Sequence, residues 1–265
     1  MIRFRALLEK ELLDVVRNRA VLLPVAIATL VFLVLPFVIA ILIPAMSGDP
    51  FGDDAERLAR VSLLMGPHEN LSTNGRVQLF IFQQFLIVFL LMPVTGAMAL
   101  AAHAIVGEKQ ARTLEPLLAT PLTTLELLMA KVTGALIPTL AISTVGLIAY
   151  GLIIAGSAEA GVMPAMLNPR TLVLVLGVGP MCALVSLQLA VVISSRVNDP
   201  RTAQQFGVLI VVPVTALVIG QVSGALWLSG GALALVALGL FAVWILLTLF
   251  SVALFEREVI LTRWR

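Results

Sequence analysis

The sequence predicts an all-α integral membrane protein with six transmembrane helices, an N-terminal interfacial amphipathic helix and one cytoplasmic helix between spans two and three. Three observations predict it. First, 60% of the 265 residues are hydrophobic and 12% charged, with a mean hydropathy of +1.08, whereas soluble domains carry about 25% charged residues. Second, the charges leave long gaps: 20–48, 77–107, 132–158, 171–195 and 202–255 contain no Asp, Glu, Lys or Arg. A helix crosses a bilayer in about 20 apolar residues, and the last gap is 54 residues long, room for two. Third, the cations are lopsided. Thirteen lie in the N-terminus, the 107–131 and 195–205 loops and the tail, against four (Arg57, Arg60, Arg76, Arg170) in the remaining connections. The positive-inside rule then places both termini in the cytoplasm, and an even number of spans agrees with both lying on one side.

Residues 1–19 form the interfacial helix. At 100° per residue Phe4, Leu8, Leu12, Val15 and Val16 share one face, and Arg3, Lys10, Asp14 and Arg17 share the opposite one. Such a helix lies along the cytoplasmic leaflet. It is not a signal peptide, because Glu9, Glu11 and Asp14 precede an apolar core far longer than the 7–15 residues of an h-region. The spans are placed at 20–45, 78–106, 127–155, 171–194, 206–222 and 231–254, so that the chain reads as one transmembrane domain, 1–265. The 46–77 segment is the outer loop; its acids Asp49, Asp53, Asp54 and Glu56 lack calcium-loop spacing, and His68 has no second histidine near it. Trp227 is expected as an interface anchor.

Several classes fall away. A formal charge of +2 offers no basic stripe for nucleic acid. The lone Cys182 excludes a disulfide framework and a cysteine metal site, and no metal-binding set is expected. No Gly-x-Ser-x-Gly, no His-Glu-x-x-His and no phosphate-cradling Gly-x-x-x-x-Gly-Lys-Ser/Thr occurs, so neither an active site nor a nucleotide site is expected in this chain. No ionisable residue is expected near a span centre; His103 falls in the last turn of span two. The remaining polar residues of the spans, Thr95, Thr139, Ser143, Thr144, Tyr150, Ser186, Thr215, Gln221 and Thr248 among them, are expected to hydrogen-bond between helices. Gln83 and Gln84 stand out because adjacent amides cannot both face one neighbour. With Gln188 they are the candidate substrate path.

The most informative segment is the cytoplasmic 107–126 loop. An apolar edge (Leu114, Leu117, Leu118) precedes a Thr120-Pro121 break, and Thr123-x-x-Glu126 is a capping box for span three. Glu108, Arg112, Thr113, Leu114, Glu115, Leu117, Leu118, Thr120 and Pro121 follow one another in an order that resembles the permease subunits of ABC-2 type ABC transporters, particularly the sodium-export-like and copper-processing-like branches. Glu126-Leu127 and Lys131 continue the pattern. Arg112 and Ala130 depart from it, since glycine is usual at both places. The resemblance implies a permease subunit of an ATP-driven exporter in a prokaryotic inner membrane, with 108–121 as the ATPase-coupling helix. It implies two copies of a separate ATP-binding subunit, which would carry ATP and Mg, and a second permease in a homo- or heterodimer. An ion-coupled or facilitative transporter of another family, and a membrane scaffold, are the competing readings.

Overall fold

Helices occupy the charge-free runs because a backbone in hydrocarbon must satisfy its own N–H and C=O groups. The computed structural model describes residues 8–10, 12–13, 19–47, 59–60, 70–89, 91–110, 124–197, 202, 205–206, 208–223 and 228–254. Among these there is no strand. The helices are α1 (Arg19–Phe37), α2 (Ile43–Ser47), α3 (Thr73–Phe89), α4 (Leu91–Gln110), α5 (Thr124–Ser157), α6 (Val162–Met166), α7 (Pro169–Leu172), α8 (Gly179–Arg196), α9 (Val208–Val222) and α10 (Gly230–Leu254). π-helical turns, Val38–Leu42 and Val173–Val178, join α1 to α2 and α7 to α8. Most of the expected interfacial helix, most of the outer loop with His68, residues 111–123 and Trp227 lie outside the described residues.

The result is an all-α membrane protein. Among the described residues, five stretches are long and apolar enough to cross a bilayer: Leu23–Met46, Thr73–Met98, Leu125–Ser157, Pro169–Ser194 and Gly230–Ala253. The fifth span expected from the sequence is a shorter element. Helix α9 has 15 residues, about 22 Å at 1.5 Å per residue, against a hydrocarbon core of about 30 Å. Helix α5, with 34 residues, measures about 51 Å and outreaches that core.

The bundle is built around α3, in which every residue from Val77 to Gln84 is buried. Its neighbours meet it in an aromatic cluster. Phe37 of α1 lies 5.2 Å from Phe82 and 5.6 Å from Tyr150 of α5, centroid to centroid. Phe82 and Tyr150 are 6.1 Å apart at 84°, an edge-to-face arrangement favoured by the ring quadrupoles. The Tyr150 hydroxyl donates to the Phe82 carbonyl at 2.9 Å. A second packing centre joins Ala97, Met98 and Leu100 of α4 to Leu128, Val132 and Ala135 of α5 and to Leu187, Ala190 and Val191 of α8. Its alanines allow the close helix approach that drives association in lipid. Outside, α1 and α10 present Leu23, Ile27, Leu30, Leu235, Leu238 and Leu246; on a membrane protein these face lipid.

At the end where α3 begins, the 158–169 connection is stitched onto it. Ser72 caps α3 by accepting from the Gly75 N–H at 3.0 Å, and its hydroxyl donates to the Glu159 carboxylate at 2.6 Å. The Glu159 N–H donates to Gln78 Oε1 at 2.9 Å. A carboxylate beside the start of a helix also favours the dipole. The turn into α6 needs Gly161, whose φ is 95° and where a Cβ would stand 2.9 Å from Leu71 Cδ2.

Gly161→Ala should therefore lower stability by about 1–2 kcal/mol, the left-handed penalty for an L-residue. Gly156→Ala, in α5 with open space around it, should be neutral or stabilising by up to about 1 kcal/mol. Thermal unfolding of the two variants in one detergent checks the contrast.

Candidate functional site

Local rules deliver Arg170 to the interior. Asn168 has extended backbone, and its Oδ1 accepts from the Thr171 N–H at 2.8 Å, while Pro169 takes the first turn of α7. This is an N-cap followed by a proline whose missing N–H would have been an orphan. Asn168 Nδ2 also donates to the Ala165 carbonyl at 3.0 Å, fixing the entry from α6. Arg170 is thereby held in the first turn, where the helix dipole disfavours a cation.

Three acceptors from other parts of the chain offset that. Arg170 Nε donates to the Leu228 carbonyl at 2.9 Å, Nη1 to Gln83 Oε1 at 2.8 Å, and Nη2 to Gln221 Oε1 at 2.9 Å. One guanidinium thus joins the start of the fourth span to α3, to the end of α9 and to the connection before α10. A guanidinium sets five N–H donors in a fixed planar fork, where a lysine ammonium has three at one rotating point. The start of α10 lies against Arg170: a Cβ on Gly230 would meet the Arg170 Cα at 3.6 Å, an ordinary contact.

Glu159 bonds to Gln78 and Arg170 to Gln83, so the connection descends α3 by five residues, about 7.5 Å. Arg170, counted from sequence with the connections, is the second residue of the Pro169–Ser194 stretch and folds in against Gln83 of α3. Sequence gives a residue's place along its own helix, not the level it reaches on a neighbour. The available signal was Asn-Pro-Arg opening an apolar run that glutamines face from two other runs.

The three glutamines proposed from sequence have different surroundings. Gln83, 1% exposed, holds Arg170. Gln84 turns away by 100°, as adjacent residues on a helix must, and neither atom of its buried amide has a protein hydrogen bond. Gln188 Nε2 donates to Ser251 Oγ at 2.7 Å, and Ser251 Oγ donates to the Leu247 carbonyl at 2.8 Å, a clasp between α8 and α10. Gln221, 0% exposed, is the second amide on Arg170. Contrary to expectation, Thr95, Thr139, Ser186 and Thr248 do not bond across helices. Each donates to a carbonyl of its own helix three or four residues back, at 2.5–3.1 Å. A short hydroxyl reaches that carbonyl without help, whereas the longer Gln and Tyr side chains reach another helix.

A cleft of about 340 Å³ opens between α3, α4, α5 and the fourth span, lined by none of the node residues. Phe89, Pro93, Leu176 and Pro180 supply apolar walls, and Ser143 and Thr144 supply hydroxyls. The π turn Val173–Val178 forms part of one wall; such turns recur at functional sites. Among the described residues, no group of three or more His, Cys, Asp or Glu comes together. Of the coupling residues, Arg112, Thr113, Leu114, Glu115, Leu117, Leu118, Thr120 and Pro121 lie outside the described residues, and Glu108 sits in the last turn of α4. Helices α4 and α5 pack together, so the 111–123 loop joins the ends of two packed helices.

A lipid-facing exterior around a polar node and an apolar cleft is the construction of a multi-pass membrane protein. Residues 5–233 match the family model described as ABC-2 family transporter protein. The match covers most of the chain, and the protein belongs to that family, as a membrane permease of ABC transporter type. No curated protein matches the chain.

Arg170→Lys keeps the charge and loses the fork. It should cost about 1.5–3 kcal/mol, the value of a hydrogen bond to a charged group. Gln188→Leu should cost nearer about 0.6 kcal/mol, typical of a neutral interhelical bond in a membrane. Melting temperatures in detergent should rank wild type, then Gln188→Leu, then Arg170→Lys.

Proposed function

We propose that this chain is the membrane-spanning permease of an ATP-driven exporter and that ATP is hydrolysed on separate ATP-binding chains. The family match carries the reading; the motif between Glu108 and Pro121, nearest the sodium-export-like and copper-processing-like branches, supports its finer parts. In this reading two ATP-binding subunits, holding ATP and Mg, dock on the 108–121 segment of two permeases, identical or sister chains. Both termini and this loop are cytoplasmic, and the membrane is a prokaryotic inner membrane.

The packing suggests how a push would travel. Helices α4, α5 and α8 share one core through Met98, Leu100, Leu128, Val132 and Leu187, so force on the loop between α4 and α5 moves the three together. Helix α5 continues to Tyr150 and the aromatic cluster, which extends the movement toward the Arg170 node. ATP-driven closure of the ATPases would then shift the populations of two permease conformations, changing access to a path at the permease dimer interface.

The docking role is tested with Leu117→Ala plus Leu118→Ala, against Leu63→Ala plus Leu64→Ala in the outer loop. A buried interface anchor costs about 2 kcal/mol when truncated, so the first pair should reduce ATPase co-purification about thirtyfold or uncouple hydrolysis from transport. Native mass of the wild-type complex should show two permeases and two ATPases; equal behaviour of the two double variants, or one permease per two ATPases, contradicts the scheme.

Orientation is checked separately by labelling. Cysteine at Ser62 should react with a membrane-impermeant reagent applied outside cells, and cysteine at Thr123 should not; the reverse pattern inverts the topology.

A further inference from the structure

Thr139 and Ser157 of α5 each donate to the carbonyl four residues back, at 2.8 and 2.6 Å, the bond a short hydroxyl reaches unaided. Between them, Ser143 and Thr144 hold no protein group among the described residues, and both line the cleft of about 340 Å³. In hydrocarbon no water stands ready to pair them, and polar groups inside native proteins are almost always paired with something.

The cleft has two unlike walls. On α5, Leu140, Ser143, Thr144, Leu147 and Ile148 line it, spaced as one face of a helix. Across it stand Val175, Leu176 and Pro180 of the fourth span. There the π register takes the Gly179 N–H to the Leu174 carbonyl. The Val175 carbonyl, next in that register, would take its donor from residue 180, a proline without an N–H. One wall thus offers two hydroxyls and the other a carbonyl short of its regular donor. Among the described lining residues none is charged.

Leu86 and Phe89, at the inner side, are buried, whereas Ile148 and Leu176 are 58% and 71% exposed. Leu152 and Leu172, one turn further along the same two spans, are exposed as well, so the mouth opens on the lipid-facing surface. Its volume falls within the range of about 300–1,000 Å³ of small-molecule sites, which are mostly apolar with a few placed polar groups. Lipid hydrocarbon would fill the space and leave the polar groups unpaired. A charged headgroup would meet no countercharge. An uncharged molecule with an apolar body and a hydroxyl group answers both walls, since a hydroxyl accepts from one group and donates to another.

We propose that the cleft between α5 and the π turn of the fourth span is a binding site for an uncharged amphipathic molecule taken from the bilayer, an apolar body whose hydroxyl group is held by Ser143 and Thr144. Binding is read on the permease alone, without ATPase or transport, so the exporter reading stands or falls separately.

The test places the full chain in phosphatidylcholine nanodiscs with a diazirine-bearing dodecanol, or with dodecane carrying the diazirine at the same position, at equal mole fraction in the bilayer. Mass spectrometry after illumination locates the label. Dodecanol should label 140–148 and 175–180 saturably and be displaced by excess unmodified dodecanol. Dodecane should label them about fivefold less, the value of one neutral hydrogen bond. Ser143→Ala plus Thr144→Val removes hydroxyls that hold no protein group, so it should erase the dodecanol advantage with no fall in melting temperature. Equal labelling by the two probes in wild type overturns the proposal and leaves lipid hydrocarbon as the occupant; this comparison needs no variant. Label that excess dodecanol does not displace, or an advantage that survives in the folded double variant, overturns it as well.

Discussion

A guanidinium inside a membrane bundle persists only where its donors meet acceptors, because unpaired polar groups in hydrocarbon cost several kcal/mol each. Arg170 meets that condition by drawing on three separate regions: Gln83 of α3, Gln221 of α9 and the Leu228 carbonyl before α10. The short connection through α6 follows from this, since it must carry the chain from the level of Gln78 to the level of Gln83. The placement of α9 follows as well. Nothing in its own apolar sequence selects a neighbour, and Gln221 at its end supplies the directional contact that van der Waals packing in lipid lacks.

Two packing centres divide the bundle. Around the node, α3 gathers α1, α5 and α6 through Phe37, Phe82, Tyr150 and Val162. Toward the 111–123 loop, α4, α5 and α8 meet through small and medium apolar residues. Helix α5 runs through both, and at 34 residues it is the element whose movement at one end must be felt at the other. The π turn of the fourth span and Pro180 lie where the two centres adjoin, beside the cleft. A π turn departs from regular i→i−4 bonding, and Pro180 offers no N–H to restore it, so this wall, like the Val38–Leu42 turn that follows Pro36, is held less by its own backbone than a regular helix is.

The polar residues of the spans divide by reach. Hydroxyls on short side chains close on the carbonyl a turn behind and bend or solvate their own helix. Amides and the one tyrosine extend further and link helices, as Gln188 with Ser251 and Tyr150 with Phe82 show. Composition lists both kinds alike, which is why interhelical bonding was expected of most of them and holds for only some.

The sequence by itself determined the class of protein. Runs without charge can be satisfied in a bilayer only as helices, so the membrane, the all-α architecture and most of the spans were legible from spacing alone, and the ordered residues from Glu108 to Lys131 already resembled the family that residues 5–233 match. Gln83 was legible as unusual, because an amide amid apolar residues needs a partner. Its partner was not. Arg170 stands at a boundary in sequence, and only the descent of the 158–169 connection along α3 brings it level with Gln83, where Gln221, 51 residues later, completes the node. Tertiary structure decided this because hydrophobicity is non-directional and sets only which segments enter the membrane, whereas hydrogen bonds require particular atoms within about 3 Å, and that proximity exists only after the helices have packed.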